Sequence, residues 1–230
     1  MPILYVVGTP IGNLEDISLR AVRILREVGL VAAEDTRKTR RLLNAYNIQT
    51  PLTSYHEHSS RAKLDYLLSH LEKEDLAMVS EAGMPGLSDP GYDLIIAAID
   101  RGISVVPVPG PSAVITALVV SGLPTDQFVY VGFLPRRKGH RQRLLSSISD
   151  ESRTIVAFEA PHRLRGALAD VEEILGDRRV SVCRELTKVH EDVFRGRVSQ
   201  AREHFAQPRG EFSLVIEGKT RAWLKYQERS

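Results

Sequence analysis

The chain has 230 residues, a formal net charge of +2, and fractions of hydrophobic (43%) and charged (26%) residues that are ordinary for a globular protein with one large or two small domains. These values exclude a chain that is strongly basic throughout. No apolar run is long enough to span a membrane, the first residues lack the layout of a signal peptide, and the single cysteine excludes an internal disulfide. We therefore expect a protein of the reducing cytoplasm with no membrane partner.

The first half of the chain alternates short apolar strands with helices, and most of its strands run into loops rich in glycine or proline. This order predicts a mainly parallel sheet with helices on both faces. The first helix should bury Leu19, Val22, Leu25 and Val28. The predicted strands are residues 3–7, 30–33, 51–55, 75–79 and 103–106, and the predicted helices are residues 18–28, 61–71, 92–100 and 113–121.

Residues 80–91 form the most informative loop, because they contain two Pro-Gly pairs between a buried strand and a helix. Pro85-Gly86 and Pro90-Gly91 each fit the centre of a type II turn, in which glycine takes a positive φ. Loops at the carboxyl ends of strands in α/β sheets are where ligands bind. A binding site is therefore predicted here, and the alternative is a long surface connection.

Two other loops follow predicted strands. Gly8-Thr9-Pro10-Ile11-Gly12-Asn13 lacks the features of a phosphate-binding loop or a dinucleotide fingerprint, so it could shape a cleft without binding phosphate. Three prolines in residues 107–111 should end the strand at residue 106, and Ser112 should cap the next helix. That helix is apolar all round, so it should be covered by its own domain or by a second subunit.

Charged residues cluster directly after the second strand. Glu34 and Asp35 are followed by four cations in residues 37–41, and the alternative to a functional site is a solvated helix face. His56 could orient a substrate or could lie in an exposed loop. His56-Glu57-His58 does not have the spacing of the common zinc motif, so no metal is expected.

The second half begins with an aromatic strand and a strongly basic segment. Residues 136–143 contain five cations and a histidine, with no acid between Asp126 and Asp150, which favours a polyanionic partner over a solvated helix start. Residues 191–195 and 197–200 look like a hairpin around Gly196. The predicted domains are residues 1–123 and 127–218, followed by a charged tail at residues 219–230. The remaining predicted strands are residues 128–133, 153–158, 180–183 and 212–216, with a helix at residues 164–175.

Seven motifs, in order, resemble those of the tetrapyrrole-methylase superfamily, and within it those of the bacterial 16S rRNA cytidine-2′-O-methyltransferases. The resemblance extends over roughly residues 3–218. It implies two α/β domains of the tetrapyrrole-methylase type, a homodimer, and S-adenosyl-L-methionine bound in the cleft between the domains. It also implies methylation of the ribose 2′-hydroxyl of a decoding-centre cytidine in the small ribosomal subunit. The motifs are residues 7–14, 33–37, 81–91, 109–113, 132–135, 161–163 and 184–188.

The same resemblance implies which residues contact the methyl donor, since family members hold it against the backbone of the turn loops. Glu81 stands where the family more often has aspartate, and the sequence stops soon after Gly218, where many members continue. If the C-terminal continuation of those members helps to bind RNA, we expect this chain to bind RNA more weakly, or residues 136–143 to contribute more of the RNA affinity. The expected donor contacts are Pro10, Gly83, Met84, Pro85, Leu87, Ser88, Ser112, Ala113, Phe158, Leu186, Phe212 and Ser213.

For catalysis we hypothesise that Glu34 or Asp35 accepts the proton of the hydroxyl group. The alternative for this pair is a helix cap and first-turn charge. Arg37 and Lys188, with Arg163 and Arg184, would hold phosphates and stabilise a developing oxyanion. The expected RNA-binding residues are Lys38, Arg40, Arg41, Arg136, Arg137, Lys138, Arg141, Arg143, Arg163 and Arg184.

Two other functions compete with this one. A methylase of the same fold acting on a tetrapyrrole would need a cleft for a large macrocycle and has no use for two cationic segments. A module that binds RNA without chemistry has no reason to keep two Pro-Gly turns beside a strand end. Binding of S-adenosyl-L-methionine would separate this module from both enzymes.

Overall fold

The computed structural model describes residues 2–220, and the chain divides into two compact units, residues 1–112 and residues 113–230. Each unit is built on one five-stranded sheet. Most of the predicted charged tail, residues 221–230, lies outside the described residues. No helix among residues 2–220 combines the length and apolarity needed to cross a membrane.

The first unit is a parallel sheet with helices on both faces, as predicted. Its elements are β1 (Ile3–Val7), α1 (Leu19–Glu27), β2 (Leu30–Ala33), α2 (Thr36–Ala45), β3 (Leu52–Ser54), α3 (Arg61–His70), β4 (Leu76–Val79), α4 (Tyr92–Asp100) and β5 (Ser104–Val108). The strand order is β3-β2-β4-β1-β5, with every pair parallel. Leu25 and Leu43 belong to the core under α1 and α2, and Leu67 and Leu94 to the core under α3 and α4.

The buried stripe of α1 differs from the predicted one. The Ser18 hydroxyl caps the helix by accepting from the N–H of Ala21 at 3.1 Å. The helix then buries Ala21, Ile24 and Leu25, a spacing typical of one helical face, whereas Leu19 is 89% exposed. Including Leu19 in the predicted face was wrong, because the first residue after the cap turns away from the sheet.

The strand β5 continues past the point where the prolines were expected to stop it. It runs through Pro107 to Val108, with Pro107 opposite Val6 of β1. Because β5 is an edge strand that pairs only with β1, the absent N–H of Pro107 is tolerated. The prediction that the strand ends at residue 106 was therefore wrong.

The second unit has a mixed sheet in the order β6-β7-β10-β8-β9, in which only β6 and β7 run parallel. Its core includes Leu168 of α7, Ala201 of α8 and Leu214 of β10. The elements are α5 (Ala113–Val120), β6 (Phe128–Phe133), α6 (Lys138–Ser147), β7 (Thr154–Glu159), α7 (Pro161–Leu175), β8 (Arg179–Arg184), β9 (Asp192–Arg197), α8 (Val198–His204) and β10 (Phe212–Ile216).

The helix α5 belongs to the second unit, so the first unit ends at Ser112 and not at the predicted residue 123. Val114, Ala117 and Leu118 are buried, and α5 packs against β10 and β7. On the rest of the helix surface Ile115 is 47% and Val119 is 65% exposed. Of the two alternatives for covering this helix, its own unit supplies only part, and cover by a second subunit stays a prediction.

The expected hairpin around Gly196 is a strand followed by a helix. Gly196 lies inside β9, which pairs antiparallel with β8. Residues 198–204 form α8, because Val198, Ala201 and Phe205 are buried at helical spacing. The true hairpin partner of β9 is β8.

Candidate active site

Three loops meet at the carboxyl ends of β4, β1 and β5, which are neighbours in the first sheet. A Cβ on Gly8 would lie 2.6 Å from Met84 Sδ and 2.8 Å from Gly110 Cα. A Cβ on Gly110 would lie 2.8 Å from the carbonyl carbon of Gly8. Contacts that short admit only glycine, so the loops after β1 and β5 meet main chain to main chain, and the Met84 side chain of the third loop packs against Gly8.

The loop of residues 83–91 is tied to the first loop and takes the conformation that its glycines predict. Thr9 and Gly83 exchange two main-chain hydrogen bonds of 2.9 and 3.0 Å. The φ angles of Gly86 and Gly91 are +82° and +134°, which confirms the predicted positive values. The N–H of Gly86 donates to the carbonyl of Pro90 at 3.2 Å and closes the loop on itself.

The structure brings the expected donor contacts of the first unit into this group of loops. Pro10 follows Thr9, and the position of a Cβ on Gly83 lies 3.7 Å from the carbonyl of Pro111, which precedes Ser112. Of the expected contacts, Gly83 and Pro85 are buried, Pro10, Met84 and Ser112 are half-buried, and Leu87 and Ser88 are exposed.

Thr9 is a residue of this site that the sequence analysis missed. Its side chain is 3% exposed, and its hydroxyl oxygen is buried with no hydrogen-bond partner among residues 2–220. A buried hydroxyl without a partner is costly, so it is available to a ligand. The loop attracted attention for its glycines and proline, and only the folded structure shows that the hydroxyl is unpaired.

An acidic cavity of about 660 Å³ opens beside the loop of residues 83–91. Glu34, at the end of β2, lines it together with His56, and the sequence analysis had singled out both residues. Within the part of the chain that the structure describes, no group of three or more histidine, cysteine or acidic residues could hold a metal ion. The titratable residues of the cavity wall are Glu34, His56, Glu57, His58, Asp89, Tyr55, Tyr92 and Asp93.

Glu34 and Asp35 have different environments although they are adjacent in sequence. Glu34 faces the cavity, and its carboxylate accepts from the N–H of Glu81 at 3.0 Å. Burial raises the pKa of Glu34 above its ordinary value, against the attraction of Lys38.

Asp35 is the N-cap of α2. Its carboxylate accepts from the N–H groups of Arg37 at 2.8 Å and Lys38 at 3.2 Å. These main-chain hydrogen bonds, that of Lys38 first, lower the pKa of Asp35. The capping alternative therefore describes Asp35, and Glu34 remains the candidate base.

Asp89 is a second cavity carboxyl that the sequence analysis missed. Burial, and next the negative charge of Glu34, raise the pKa of Asp89 to about 6, while a hydrogen bond from Ser80 lowers it. Asp89 lies between the two Pro-Gly pairs of the predicted binding loop, and no catalytic or binding role was assigned to it from the sequence. The fold places it in the same cavity as Glu34.

In the second unit, the expected donor contacts lie at one end of the sheet. Ser213 is opposite Phe158 of β7, and Phe212 is opposite Arg184 of β8. Leu186 lies in the loop after β8 between two residues with positive φ, Glu185 at +51° and Thr187 at +66°. Ala113 is the first residue of α5.

Lys188 is held by two carboxylates of the second unit. Its amino group donates to Glu185 at 3.1 Å and to Glu211 at 2.9 Å. Burial lowers the pKa of Lys188, but the hydrogen bonds to Glu211 and Glu185 outweigh it, so the pKa is raised. In this arrangement Lys188 serves the local structure, and the expected catalytic role has no contact to support it.

Two arginines expected on an RNA-binding surface are largely enclosed. Arg141 is buried and donates to Asp170 at 2.7 Å and to the carbonyl of Pro135 at 3.2 Å. Arg163 pairs with buried Glu159 at 2.6 Å. Both side chains are engaged in ion pairs inside the second unit, so neither is free to bind a phosphate, and their RNA-binding assignment is corrected.

The other expected RNA-binding cations are mostly exposed. Arg184 donates to the carbonyl of His190 at 3.2 Å, and Lys38 pairs with Glu81. The exposed cations of the expected set are Lys38, Arg40 and Arg41 in the first unit and Arg136, Arg137, Lys138 and Arg143 in the second, and Arg37, expected to act in catalysis, is exposed beside the first group.

Residues 3–202 match the family model of the tetrapyrrole (corrin/porphyrin) methylases. The chain belongs to the tetrapyrrole methylase family. Within this family, a relative from Thermotoga maritima named ribosomal RNA small subunit methyltransferase I is 52% identical, over 94% of this chain and 98% of the relative. A relative of the same name from Halalkalibacterium halodurans is 49% identical, over 94% of this chain and 75% of its own.

Solved structures of the family share the fold at low identity. A diphthine synthase structure has a TM-score of 0.74 and 14% identity, over 98% of this chain and 93% of its own. A cobalt precorrin-4 methyltransferase has a TM-score of 0.69 and 15% identity, over 94% of each chain. These likenesses show the methylase fold and do not identify the acceptor.

The loops fit the methyl donor of the methylase family, S-adenosyl-L-methionine, which carries no phosphate. The close main-chain approach of Gly8 and Gly110, with Met84 Sδ beside Gly8, leaves backbone groups for a ligand, and the Thr9 hydroxyl, which has no partner among residues 2–220, adds one polar atom. A phosphate-binding loop is absent from the sequence, in agreement with such a donor. The residues present therefore suit this cofactor.

Proposed function

We propose that this chain methylates the ribose 2′-hydroxyl of a cytidine in the decoding centre of 16S rRNA, using S-adenosyl-L-methionine. The observation that supports it best is a half-buried carboxylate, Glu34, in an open cavity beside the glycine- and proline-rich loops. Relatives at 44–52% identity that are named ribosomal RNA small subunit methyltransferase I support the choice of RNA over a tetrapyrrole.

In this proposal the first unit holds the donor with main chain rather than with charged side chains. When bound, S-adenosyl-L-methionine supplies a methyl group on a cationic sulfur, which is a good leaving group. Gly83, Met84 and Pro85 would contact it, with Thr9 adding one hydroxyl. The further proposed contacts are Pro10, Leu87, Ser88, Ser112, Ala113, Phe158, Leu186, Phe212 and Ser213.

Glu34 is the proposed general base. The O–H bond of the ribose hydroxyl would break with its proton passing to the Glu34 carboxylate, and the hydroxyl oxygen would bond to the methyl carbon as the bond from that carbon to sulfur breaks, leaving its electron pair on the sulfur. Burial raises the pKa of Glu34, which makes it a stronger base than an ordinary solvated carboxylate. Much of the remaining acceleration comes from holding the two reacting atoms in line.

The exposed cations are proposed to bind the RNA backbone. Arg37, Arg40 and Arg41 follow Glu34 directly in sequence, so phosphates on that surface would lie near the proposed base. Arg136, Arg137, Lys138 and Arg143 form a second exposed group. Phosphate contacts of this kind position a substrate and do not read its sequence.

We further propose a homodimer that acts in the cytoplasm, where ribosomal subunits are found. The exposed apolar residues Ile115 and Val119 of α5 support association with a second copy.

The decisive experiment supplies donor labelled in its methyl group with assembled small ribosomal subunits, with naked 16S RNA, and with a tetrapyrrole. Label on a ribose of the decoding-centre RNA is expected, with the position mapped by nuclease digestion and mass spectrometry. Label on a base, or on the tetrapyrrole alone, would overturn the proposal.

A further inference from the structure

The motif Gly132-Phe133-Leu134-Pro135 has no role in the site described so far. Up to Tyr130, β6 pairs residue by residue with β7, Tyr130 lying opposite Val156. The next pair is Phe133 with Phe158, so three steps on β6 match two on β7. One extra residue is inserted here, and Gly132 takes a φ of +71°.

This bulge changes the side of the sheet that Phe133 occupies. Val131 packs against the core that contains Ile155 and Ala157, and in a regular strand residue 133 would share that side. The insertion instead places Phe133 opposite Phe158. Because side chains alternate along a strand, Phe158 lies on the opposite side of the sheet from Ile155 and Ala157. The chain thus uses a bulge and a left-handed glycine to turn a large ring away from its own core.

Phe133 ends a row of three aromatic rings. Its ring centroid is 5.4 Å from that of Phe158 in an edge-to-face arrangement, and Phe158 is 5.3 Å from Tyr130 in the same way. Tyr130 and Phe158 are half-buried, whereas Phe133 is 56% exposed. The sheet therefore fixes the position of a ring that remains open to solvent.

The residues after Phe133 are anchored and then become cationic. Leu134 is buried, its N–H donates to the carbonyl of Phe158 at 3.1 Å, and its own carbonyl accepts from Arg163 at 3.4 Å. Arg136 and Arg137 follow and are exposed, and neither makes an ion pair with another residue of the described range 2–220. A fixed exposed ring and two uncompensated cations thus lie within five residues.

We propose that Phe133 is a stacking platform for one unpaired base of an RNA strand whose neighbouring phosphates are bound by Arg136 and Arg137. Aromatic rings beside a cationic groove are how proteins hold single strands, because every base has a face to stack and every nucleotide a phosphate. A paired base within a duplex has both faces covered by its neighbours. The inference rests on the proposed function, to which it adds that the substrate is unpaired at this contact.

The test measures binding of the full chain to a fluorescein-labelled single strand of ten cytidines and to a duplex of the same length. Phe133→Ala is expected to weaken single-strand binding by about 5- to 150-fold, the range for loss of one stacked base, and to leave duplex binding nearly unchanged. Phe133→Tyr, which keeps a ring, should bind like the wild type. Arg136→Ala should weaken binding of both the single strand and the duplex, and should reduce the salt dependence of both affinities.

Other occupants of this surface give different results, each of which would overturn the proposal. If Phe133 lies between two copies of the chain, Phe133→Ala lowers the molar mass in light scattering. If the ring instead contacts the adenine of the donor, Phe133→Ala weakens binding of S-adenosyl-L-methionine measured by calorimetry. If Phe133→Ala weakens binding of the single strand and the duplex equally, or weakens neither, stacking is also contradicted.

Methylation of small ribosomal subunits separates this inference from the proposed function. A wild-type chain that methylates subunits but does not distinguish the single strand from the duplex disproves the stacking platform alone. A wild-type chain that neither binds RNA nor methylates subunits disproves both. If stacking is correct, Phe133→Ala raises KM for subunits more than it lowers kcat.

Discussion

Glu34 and Asp35 are adjacent in sequence, but their carboxylates have different partners, and this difference can be tested. Glu34→Gln removes the proposed base, so the single-turnover rate of methylation should fall by about 10²- to 10⁴-fold. Asp35→Asn keeps an N-cap of comparable strength, so its rate and stability should stay close to wild type. Rapid-quench assays measure both, and equal rates in the two variants would exclude Glu34 as the base.

Asp89 provides a pH-dependent signature of the same cavity. Its pKa of about 6 lies above the value in the unfolded chain, so the folded protein keeps this proton to higher pH. Raising the pH from about 4 to about 6 should therefore decrease the free energy of unfolding relative to the Asp89→Asn variant. Denaturant unfolding across this interval measures the difference.

A second measurement on Asp89 tests its coupling to Glu34. Because the charge of Glu34 contributes to the raised pKa, Glu34→Gln should lower the pKa of Asp89, as followed by carboxyl NMR signals. An unchanged titration would show that the two carboxylates do not interact.

For single residues, the sequence indicates which side chains lie at strand ends, but it does not indicate which partners surround them in the folded chain. Glu34 and the glycines of the turn loops could be identified because their positions at strand ends carry the information. The ion pairs of Arg141 and Arg163 could not be predicted. Asp170, the partner of Arg141, is distant in sequence, and nothing in the pattern of charges shows that Glu159 pairs with Arg163 across the start of a helix. Thr9 and Asp89 were missed because their roles depend on which partners are absent or near in the folded chain.

The three loops at the ends of β4, β1 and β5 should be sensitive to a single methyl group. In Gly110→Ala the new Cβ would meet the main chain of Gly8, so we expect a loss of about 1–3 kcal/mol of stability. Affinity for S-adenosyl-L-methionine should also fall, as measured by calorimetry, because the loops must separate.

Gly139→Ala in α6 is the matched control for this change. A Cβ there meets nothing within 4 Å, and alanine favours a helix over glycine by about 0.5–1 kcal/mol. This variant should therefore be as stable as the wild type or more stable, with normal donor binding. Normal donor binding by Gly110→Ala as well would contradict a role of these loops in the site.

Helices and strands with a clear periodic pattern of apolar residues were predictable. Elements whose type or end depends on packing against other parts of the fold were not. The end of β5 was misplaced because proline excludes a central strand but not an edge strand, and the sequence does not state which strand is at the edge. The segment 198–204 has too few residues to distinguish a strand from a short helix. Only packing of Val198 and Ala201 decides it.

At the scale of the whole molecule, α5 leaves apolar residues uncovered. If the homodimer proposed above uses this surface, Val119→Asp should convert it to monomers, because a charge replaces a residue that would be buried. Val189→Asp is the matched control, since Val189 is 95% exposed in a loop and lies outside α5. Light scattering coupled to size-exclusion chromatography measures the mass of each variant. A Val119→Asp variant with the wild-type mass would contradict association through α5.

The alternation of strands and helices predicted the parallel sheet of the first unit, and the resemblance predicted two units. The sequence did not show where one unit ends. The helix α5 follows the last strand of the first sheet directly, yet its buried residues pack against β10 and β7, which come much later in the chain. Contacts between segments so distant in sequence leave no local pattern.

The two borders of the first sheet limit how these molecules can aggregate. One border is β3, with only three residues, and the other is β5, interrupted by the exposed Pro107. A short strand and a proline both make poor templates for adding a strand from a neighbouring molecule. Newly made chains at high concentration should thus resist amyloid-like stacking through this sheet, without any charged residue placed there for that purpose.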